Sequence, residues 1–429
     1  MEQNSTARVR LPERAQVEMR MYSLEQLLPE DHRARLVWKF VQSLDLTPLY
    51  KQIKVSHGQA GQSAIAPEIL IALWLLATLD GIGSARELDR RCESDIPYLW
   101  IRGSVGVNYH TLSDFRVQNG EFLERLLVNT VAALIDRGLV PLETITQDGM
   151  RVRASAGRGS FRRKLRLEQL QRQAQDHVDR LKRENEDEPQ RQAGEARRRA
   201  AQERAARERQ ERIAEALKQH EKLSQERSMY EKYSKNHEET RISTTDPDAR
   251  KMKMGNGGYD PAYNVQFSCD ADARMIVGMD VTNARTDGGQ LAPMHKKICS
   301  DYDKTPKRVL VDSAYATKEG VTAIESAGTQ VISTVPRSEQ LKRHGKDPHE
   351  RQKGDSDEYA NFRMRMAKEE NQELYKLRPS VAEFANADCR NRNLRQFAVR
   401  GLAKVKAVAL WYAVAFNFMR MLNLNALGA

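Results

Sequence analysis

No two cysteines stand close together in this chain of 429 residues: Cys92, Cys269, Cys299 and Cys389 are scattered, with no CxxC spacing and no histidine cluster beside them. That excludes a disulfide framework and a zinc knuckle and fits a reducing compartment. Long apolar runs are lacking too. The N-terminal "MEQNSTARVRLPERAQ" has no apolar core of the kind a signal peptide needs. The longest apolar stretch near the C-terminus, "AVALWYAVAF", covers only the ten residues 407–416. Ten residues do not span a bilayer, so a buried helix in a soluble, cytoplasmic protein without a membrane partner is expected. "MGNGGYDP" has neither the strand–loop–helix context nor the lysine of a phosphate-binding loop.

What the chain does have is positive charge. Lys and Arg number 70 against 59 Asp and Glu, a formal net charge of +11. Such a surplus suits a polyanion, with nucleic acid the first candidate. The length allows two or three domains. Residues 1–140 carry apolar residues at helical spacing, as in "APEILIALWLLATLDGI", where Pro67 suits a helix start. Thr111 or Ser113 is a candidate cap and Gly138 a candidate stop. With Arg86, Arg90, Arg91, Arg102 and Arg116 on its turns, this helical region reads equally well as a DNA reader or as a dimerisation domain.

At "TITQDGMRVRA", 144–154, the pattern changes to strand, with Asp148-Gly149 as a turn signal. From Lys182 to Arg212 none of 31 residues is Leu, Ile, Val, Met or aromatic, and 18 are charged. Such a segment builds no core. Its flanks differ: Leu167, Leu170, Ala174, Val178 and Leu181 on one side, and Ile213, Leu217, His220 and Leu223 on the other, predict a helical hairpin zipped at its base. A charged linker is the alternative, and Pro189 or Gly194 is a candidate break in the first arm. β-Structure resumes with a hairpin around "CDADAR". Helix "GGQLAPMHKKICSDY", strand "KRVLVDSAY", helix "TKEGVTAIESAG" and strand "TQVISTVP" follow, and the chain is helical from Phe362 onward. This order predicts a mixed α/β layer arrangement with a crossover helix before the Asp312 strand.

Asp312 ends an apolar strand, where capping of the next helix is the ordinary explanation. Asp148 stands in a second strand. Two carboxylates at one sheet edge, with a third from a neighbouring helix, suit a pair of hard cations acting on a phosphodiester. The helix candidate is "YKLRPSVAEFANADCRNRNLRQF", 375–397. It carries Glu383 early, after Pro379, and Arg390 two turns further on the same face. Asp287 is a candidate fourth carboxylate or a helix cap.

"DGMRVRAS", "GYDPAYNVQ", "VLVDSAY" and "YKLRPSVAEFANA", in this order, together with "SLEQLLPEDHRARLVW" and "YHTLSDFR" near the start, resemble the DDE transposases of bacterial insertion sequences. The similarity points to the IS4/IS5-like branch with a long helical insert. It implies an RNase H-like mixed sheet with flanking helices, preceded by a helical N-terminal DNA-binding or dimerisation domain (1–140). The core would be split into 141–160 and 241–429 by a charged coiled-coil insert (161–240). It implies metal-dependent cleavage of element ends and joining of the 3′-hydroxyls to target DNA. An inactive DNA-binding descendant and a nuclease without strand joining are the alternatives. Carried over, Asp148, Asp312 and Glu383 are the catalytic acids and hold two Mg²⁺ ions, with Mn²⁺ as substitute. Tyr375, Arg378 and Arg390 match the accompanying Tyr–Arg–Glu–Lys signature. Arg390 stands for Lys, and four residues rather than three separate Arg378 from Glu383. Arg151, Arg153 and Arg116 are further expected DNA contacts. The partners implied are the terminal inverted repeats, target DNA and a second copy of the chain.

Overall fold

The computed structural model describes residues 21–53, 63–187, 193–230 and 239–426. The N-terminal stretch before Met21 and Pro189 lie outside the described residues. The strands are β1 (Thr144–Arg153), β2 (Phe161–Arg162), β3 (Ile242–Ser243), β4 (Arg250–Lys253), β5 (Tyr259–Asp270), β6 (Ile276–Thr282), β7 (Arg308–Val311) and β8 (Gln330–Ile332). β1 is the axis of the main sheet. On one side β5 runs antiparallel to it, and β5 carries both β4 and β6 on its other edge. On the other side β7 and then β8 lie parallel. The helices Leu291–Tyr302 and Lys318–Ser326 precede and follow β7, and the second supplies the crossover to β8 that a parallel pair requires.

Asp148-Gly149 does not form the expected turn. β1 runs through it to Arg153, pairing Asp148 with Phe267 and Gly149 with Gln266. The glycine serves a close approach instead. A Cβ there would lie 2.5 Å from both Asp287 Oδ1 and Gln266 Nε2, and 2.7 Å from Asn264 Oδ1.

The helix Pro67–Leu79, apolar on every face, is buried as that pattern requires. The ten-residue apolar run lies inside the C-terminal helix Leu402–Asn423, which has 22 residues. By length and composition it is long enough to cross a membrane, but 72% of its most apolar window is buried in this fold. It packs between β6 and the helices Pro67–Leu79, Tyr109–Gln118 and Gly120–Asp136. Its polar groups are satisfied there: Trp411 Nε1 donates to the Arg116 carbonyl (3.1 Å) and Asn417 bonds both backbone groups of Ile276. One apolar cluster runs from Leu28 to Ala426, so the N-terminal helices and the sheet share a core.

The helix Tyr109–Gln118 is capped by Asn108, whose side chain accepts from Thr111 N–H (3.0 Å), and not by Thr111 or Ser113. The charged segment contributes to two helices, Lys164–Asp187 and Ala193–Tyr230. Gln210 bonds Gln175 and Arg199 reaches the Glu184 carbonyl, which makes the arms antiparallel. Leu167, Ala216 and Ile242 form a small separate core at their base, beside β2 and β3, and Ala174 and Val178 are buried further along. Gly194 falls in the first turn of the second arm and does not interrupt the first.

Candidate active site

β7 pairs with β1 over four residues only, from Thr144↔Arg308 to Gln147↔Val311. One step beyond the last pair, each chain segment presents an aspartate: Asp148 within β1 and Asp312 just after β7. The register therefore sets the two carboxylates side by side. Asp312 does not cap a helix. The chain turns after it, with Tyr315 N–H donating to its carbonyl (3.0 Å), and Thr317 caps the helix Lys318–Ser326.

The guanidinium of Arg378 lies between the two acids. Its Nη2 is 3.8 Å from Asp148 Oδ1 and 3.8 Å from Asp312 Oδ2. These are ion-pair distances, too long for hydrogen bonds, so the cation balances both charges without claiming their lone pairs. Arg378 is buried, and among the described residues its Nε has no hydrogen-bond partner. Asp148 also accepts from Gly149 N–H (2.9 Å) and from Asn386 Nδ2 (3.0 Å). Burial pushes the Asp148 carboxyl above the usual carboxylate range; Arg378 and the Gly149 N–H oppose the shift, while Asp287 and Asp312 add to it.

A carboxyl whose pKa is raised by folding favours the folded chain below its ordinary range, and this contribution is lost as pH rises through the raised value. At neutral pH the charged form of Asp148 is therefore penalised. In chelator at pH 7, Asp148→Asn is expected to melt higher than wild type, with the gap closing in acid. A lower melting temperature at pH 7 would show that the attraction of Arg378 outweighs the burial.

Behind Asp148, on the other face of the sheet, Asp287 accepts from Asn264 Nδ2 (2.7 Å), Gln266 Nε2 (3.0 Å) and Arg151 Nη2 (2.8 Å). Gln266 Oε1 in turn accepts from Tyr315 Oη (2.6 Å) and Gln147 Nε2 (3.0 Å). Asp287 is thus the acceptor of a polar network supporting β1, and it caps no helix. Composition alone did not mark Asn386, Gln147 or Gln266. For Asn386 a signal existed: a polar residue three positions after Glu383, hence on its side of the helix, between the buried Ala385 and Cys389.

Pro379–Glu383 forms one π-helical turn that continues into the α-helix Phe384–Asn391 and packs against β1 and β5. Such turns are rare and recur at functional sites. Glu383 is exposed at its end, and Arg390 is exposed without an ion pair among the described residues. Tyr375 is half-buried against the core. Arg151 is held by Asp287, and Arg153 points to Asp260 at 3.7 Å. Among the described residues no group of three His, Cys, Asp or Glu side chains is close enough to hold a metal ion. The structure therefore joins Asp148, Asp312 and Arg378 and leaves Glu383 outside that contact.

Arg116 is not the exposed DNA contact that its sequence setting predicts. It is buried, donates to the Gly83 carbonyl and stacks 4.6 Å from the Trp74 ring centroid, where burial lowers its pKa. It is a packing residue with no surface to offer a phosphate. Arg116→Gln is expected to cost about 1–3 kcal/mol of stability, read from urea unfolding, and to leave the salt dependence of DNA binding unchanged.

Residues 22–118 match the family model "Transposase domain (DUF772)", and residues 236–418 match "Transposase DDE domain". The chain belongs to the DDE transposases of insertion sequences. The DDE match spans Asp312 and Glu383 of this transposase. Asp148 and the helical arms lie between the two matched segments. The family implies an RNase H-like fold, and the strand order β6-β5-β1-β7-β8 is the mixed sheet of this transposase. No curated protein and no solved structure matches the chain.

DDE domains work with divalent metal ions. Asp148 and Asp312 are oxygen donors of the kind a hard cation takes; here the Arg378 guanidinium stands between them, and Asn386 Oδ1 is buried without a hydrogen-bond partner among the described residues.

Proposed function

We propose that this transposase binds the terminal inverted repeats of its element, cleaves there by metal-dependent hydrolysis and joins the freed 3′-hydroxyls to target DNA. The observation that carries the reading is the placement of Asp148 and Asp312 one step beyond the Gln147↔Val311 pair, facing a single buried cation. Asp148, Asp312 and Glu383 are the residues to hold two Mg²⁺ ions, with Mn²⁺ as substitute. Bound there, the ions supply an activated water or 3′-hydroxyl and stabilise the leaving oxygen.

The chain's own residues do the rest. Asn386 fixes the orientation of the Asp148 carboxylate through the bond to Oδ2. Arg378, whose charge now balances two acids, is placed to turn to a phosphate once cations take over that balance. Arg390, exposed on the helix after Glu383, is a phosphate contact, as are Tyr375, Arg151 and Arg153. Two ends must be held together, so a homodimer on DNA is the working assembly, in the bacterial cytoplasm at the nucleoid.

The test is incubation of the protein with a plasmid carrying the native element ends, in Mg²⁺, in Mn²⁺ and in chelator. Metal-dependent breaks at the ends, followed by joined products, are expected. Breaks without joining would reduce the protein to a nuclease, and end binding without breaks would reduce it to a DNA-binding descendant.

A further inference from the structure

At the base of the helical arms, β2, both arms and the segment before the C-terminal helix enclose a cleft of about 390 Å³. Five arginines line it: Arg162 from β2, Arg166 and Arg209 and Arg212 from the arms, and Arg400 from the core. Among the described residues no acidic side chain does. Their anchoring is almost wholly neutral. Arg162 donates to the backbone carbonyls of Gly159 and Phe161, Arg166 to Gln169 Oε1 (3.0 Å), and Arg400 to the Ser155 carbonyl (3.3 Å). Among the described residues the one ion pair these arginines form is that of Arg212 with Glu208, at 3.8 Å; Asp246 and Asp248, beside Arg400, accept from the Gly401 and Leu402 N–H groups. A neighbouring cleft is basic too, lined by Arg158, Arg163, Arg241 and Lys251 among others, but there Arg163 is paired with Glu239 and Arg158 with Asp260.

Five like charges round one cleft repel one another unless an anion enters. A lone phosphate group brings about two negative charges, whereas a DNA strand brings a further charge about every 3.4 Å. The position also matters. The Ser155 carbonyl that receives Arg400 lies two residues past the end of β1, and β1 carries Asp148. Arg153 itself is bonded on both sides to the 395–397 segment that leads to Arg400. The five strand steps from Asp148 to Arg153 span about 17 Å, or about five base pairs of duplex.

We infer that this arginine cleft is a phosphodiester-binding site, through which the base of the helical arms grips the duplex backbone about half a turn from the bond held at Asp148 and Asp312. This rests on the transposase reading above. The arms then complete the DNA-binding surface through their base, while the charged segment further out stays solvated.

The test uses the full chain and a fluorescein-labelled duplex of arbitrary sequence, about 40 base pairs long, titrated over a range of salt. Combined Arg166→Gln, Arg209→Gln and Arg400→Gln substitutions are expected to weaken binding and to lower the slope of log K against log salt by about 3. The matching triple Arg→Lys variant keeps most of the slope. A photo-crosslinker placed at Leu170, which also lines the cleft, is expected to capture the labelled duplex even if the glutamine variant folds poorly. An unchanged slope with no crosslink, in a protein that still binds DNA and cuts plasmid, overturns this inference alone. Binding of inorganic phosphate that the glutamine variant loses, with the DNA slope unaltered, identifies a small-anion site and overturns it as well. Failure of the wild type to bind duplex overturns it together with the transposase reading.

Discussion

Asp312→Asn is expected to lower cleavage at element ends on the order of a thousandfold while leaving DNA affinity nearly intact. Lewis-acid assistance to a phosphoryl oxygen is worth several kcal/mol, and each 1.36 kcal/mol is tenfold in rate. Asparagine keeps the shape of the side chain and removes the negative charge that a cation needs. Asp312 is about half exposed at the side chain, with no helix to cap and, among the described residues, no ion pair closer than the 3.8 Å to Arg378. Its loss therefore has little structural cost, and a fall in activity reads as chemistry. Asp148→Asn should be as damaging to cleavage while raising thermal stability in chelator, since the half-buried Asp148 is the acid whose charged form desolvation penalises. Glu383→Gln discriminates further. Glu383 lies outside the two-acid contact, so a loss equal to that of Asp312→Asn would mean the π-helical turn brings it in when DNA and metal bind. Plasmid cleavage under single-turnover conditions, with duplex binding measured beside it, checks all three. Near-normal cleavage by any one variant removes that residue from the site.

The second large effect belongs to a residue with no side chain. Gly149→Ala is expected to destabilise the protein by about 1–3 kcal/mol, as overpacking does. The new methyl would meet atoms of Asp287, Asn264 and Gln266, and the two amides already donate to Asp287. The backbone at Gly149 is ordinary strand, so the cost comes from space and not from conformation. Because Asp148 is the preceding residue, any shift of β1 also displaces a carboxylate, and a displacement of about 1 Å costs on the order of a hundredfold in rate. Gly157→Ala is the control, since a Cβ there meets nothing within 4 Å. Urea unfolding and end cleavage together test the pair. Equal stability of the two variants would show that the Asp287 network yields to the methyl at no cost.

Much of this protein is legible from residue order, for a definite reason. Periodicity reports which face of an element is buried, and it marks the strands around Asp148 and Asp312, the crossover helix and the apolar C-terminal helix. It also marks the zipped base of the arms, where Leu167, Ala174, Val178 and Ile213 are buried. Local chemistry misleads where a residue's use lies across the fold. Asp148-Gly149 has the composition of a turn, yet cross-strand pairing with Phe267 and Gln266 overrides it. Arg116 has the composition of a DNA contact, yet it is enclosed between Trp74 and Gly83. Asp287 has the setting of a helix cap, yet it accepts from three donors on β1 and β5.

The kind of chemistry is written in the residue order alone. A carboxylate after a core strand, a second in another strand and an arginine near a helical third acid are properties of residue type and spacing. Which groups meet is a property of the folded chain. The β1–β7 register, a matter of backbone hydrogen bonds between segments more than 150 residues apart in sequence, brings Asp148 level with Asp312. The packing of the π-helical turn on β1 and β5 sets Arg378 between them and Asn386 on Asp148. The base of the arms, β2 and the segment before the C-terminal helix meet at one cleft and gather five arginines from three separate stretches of the chain.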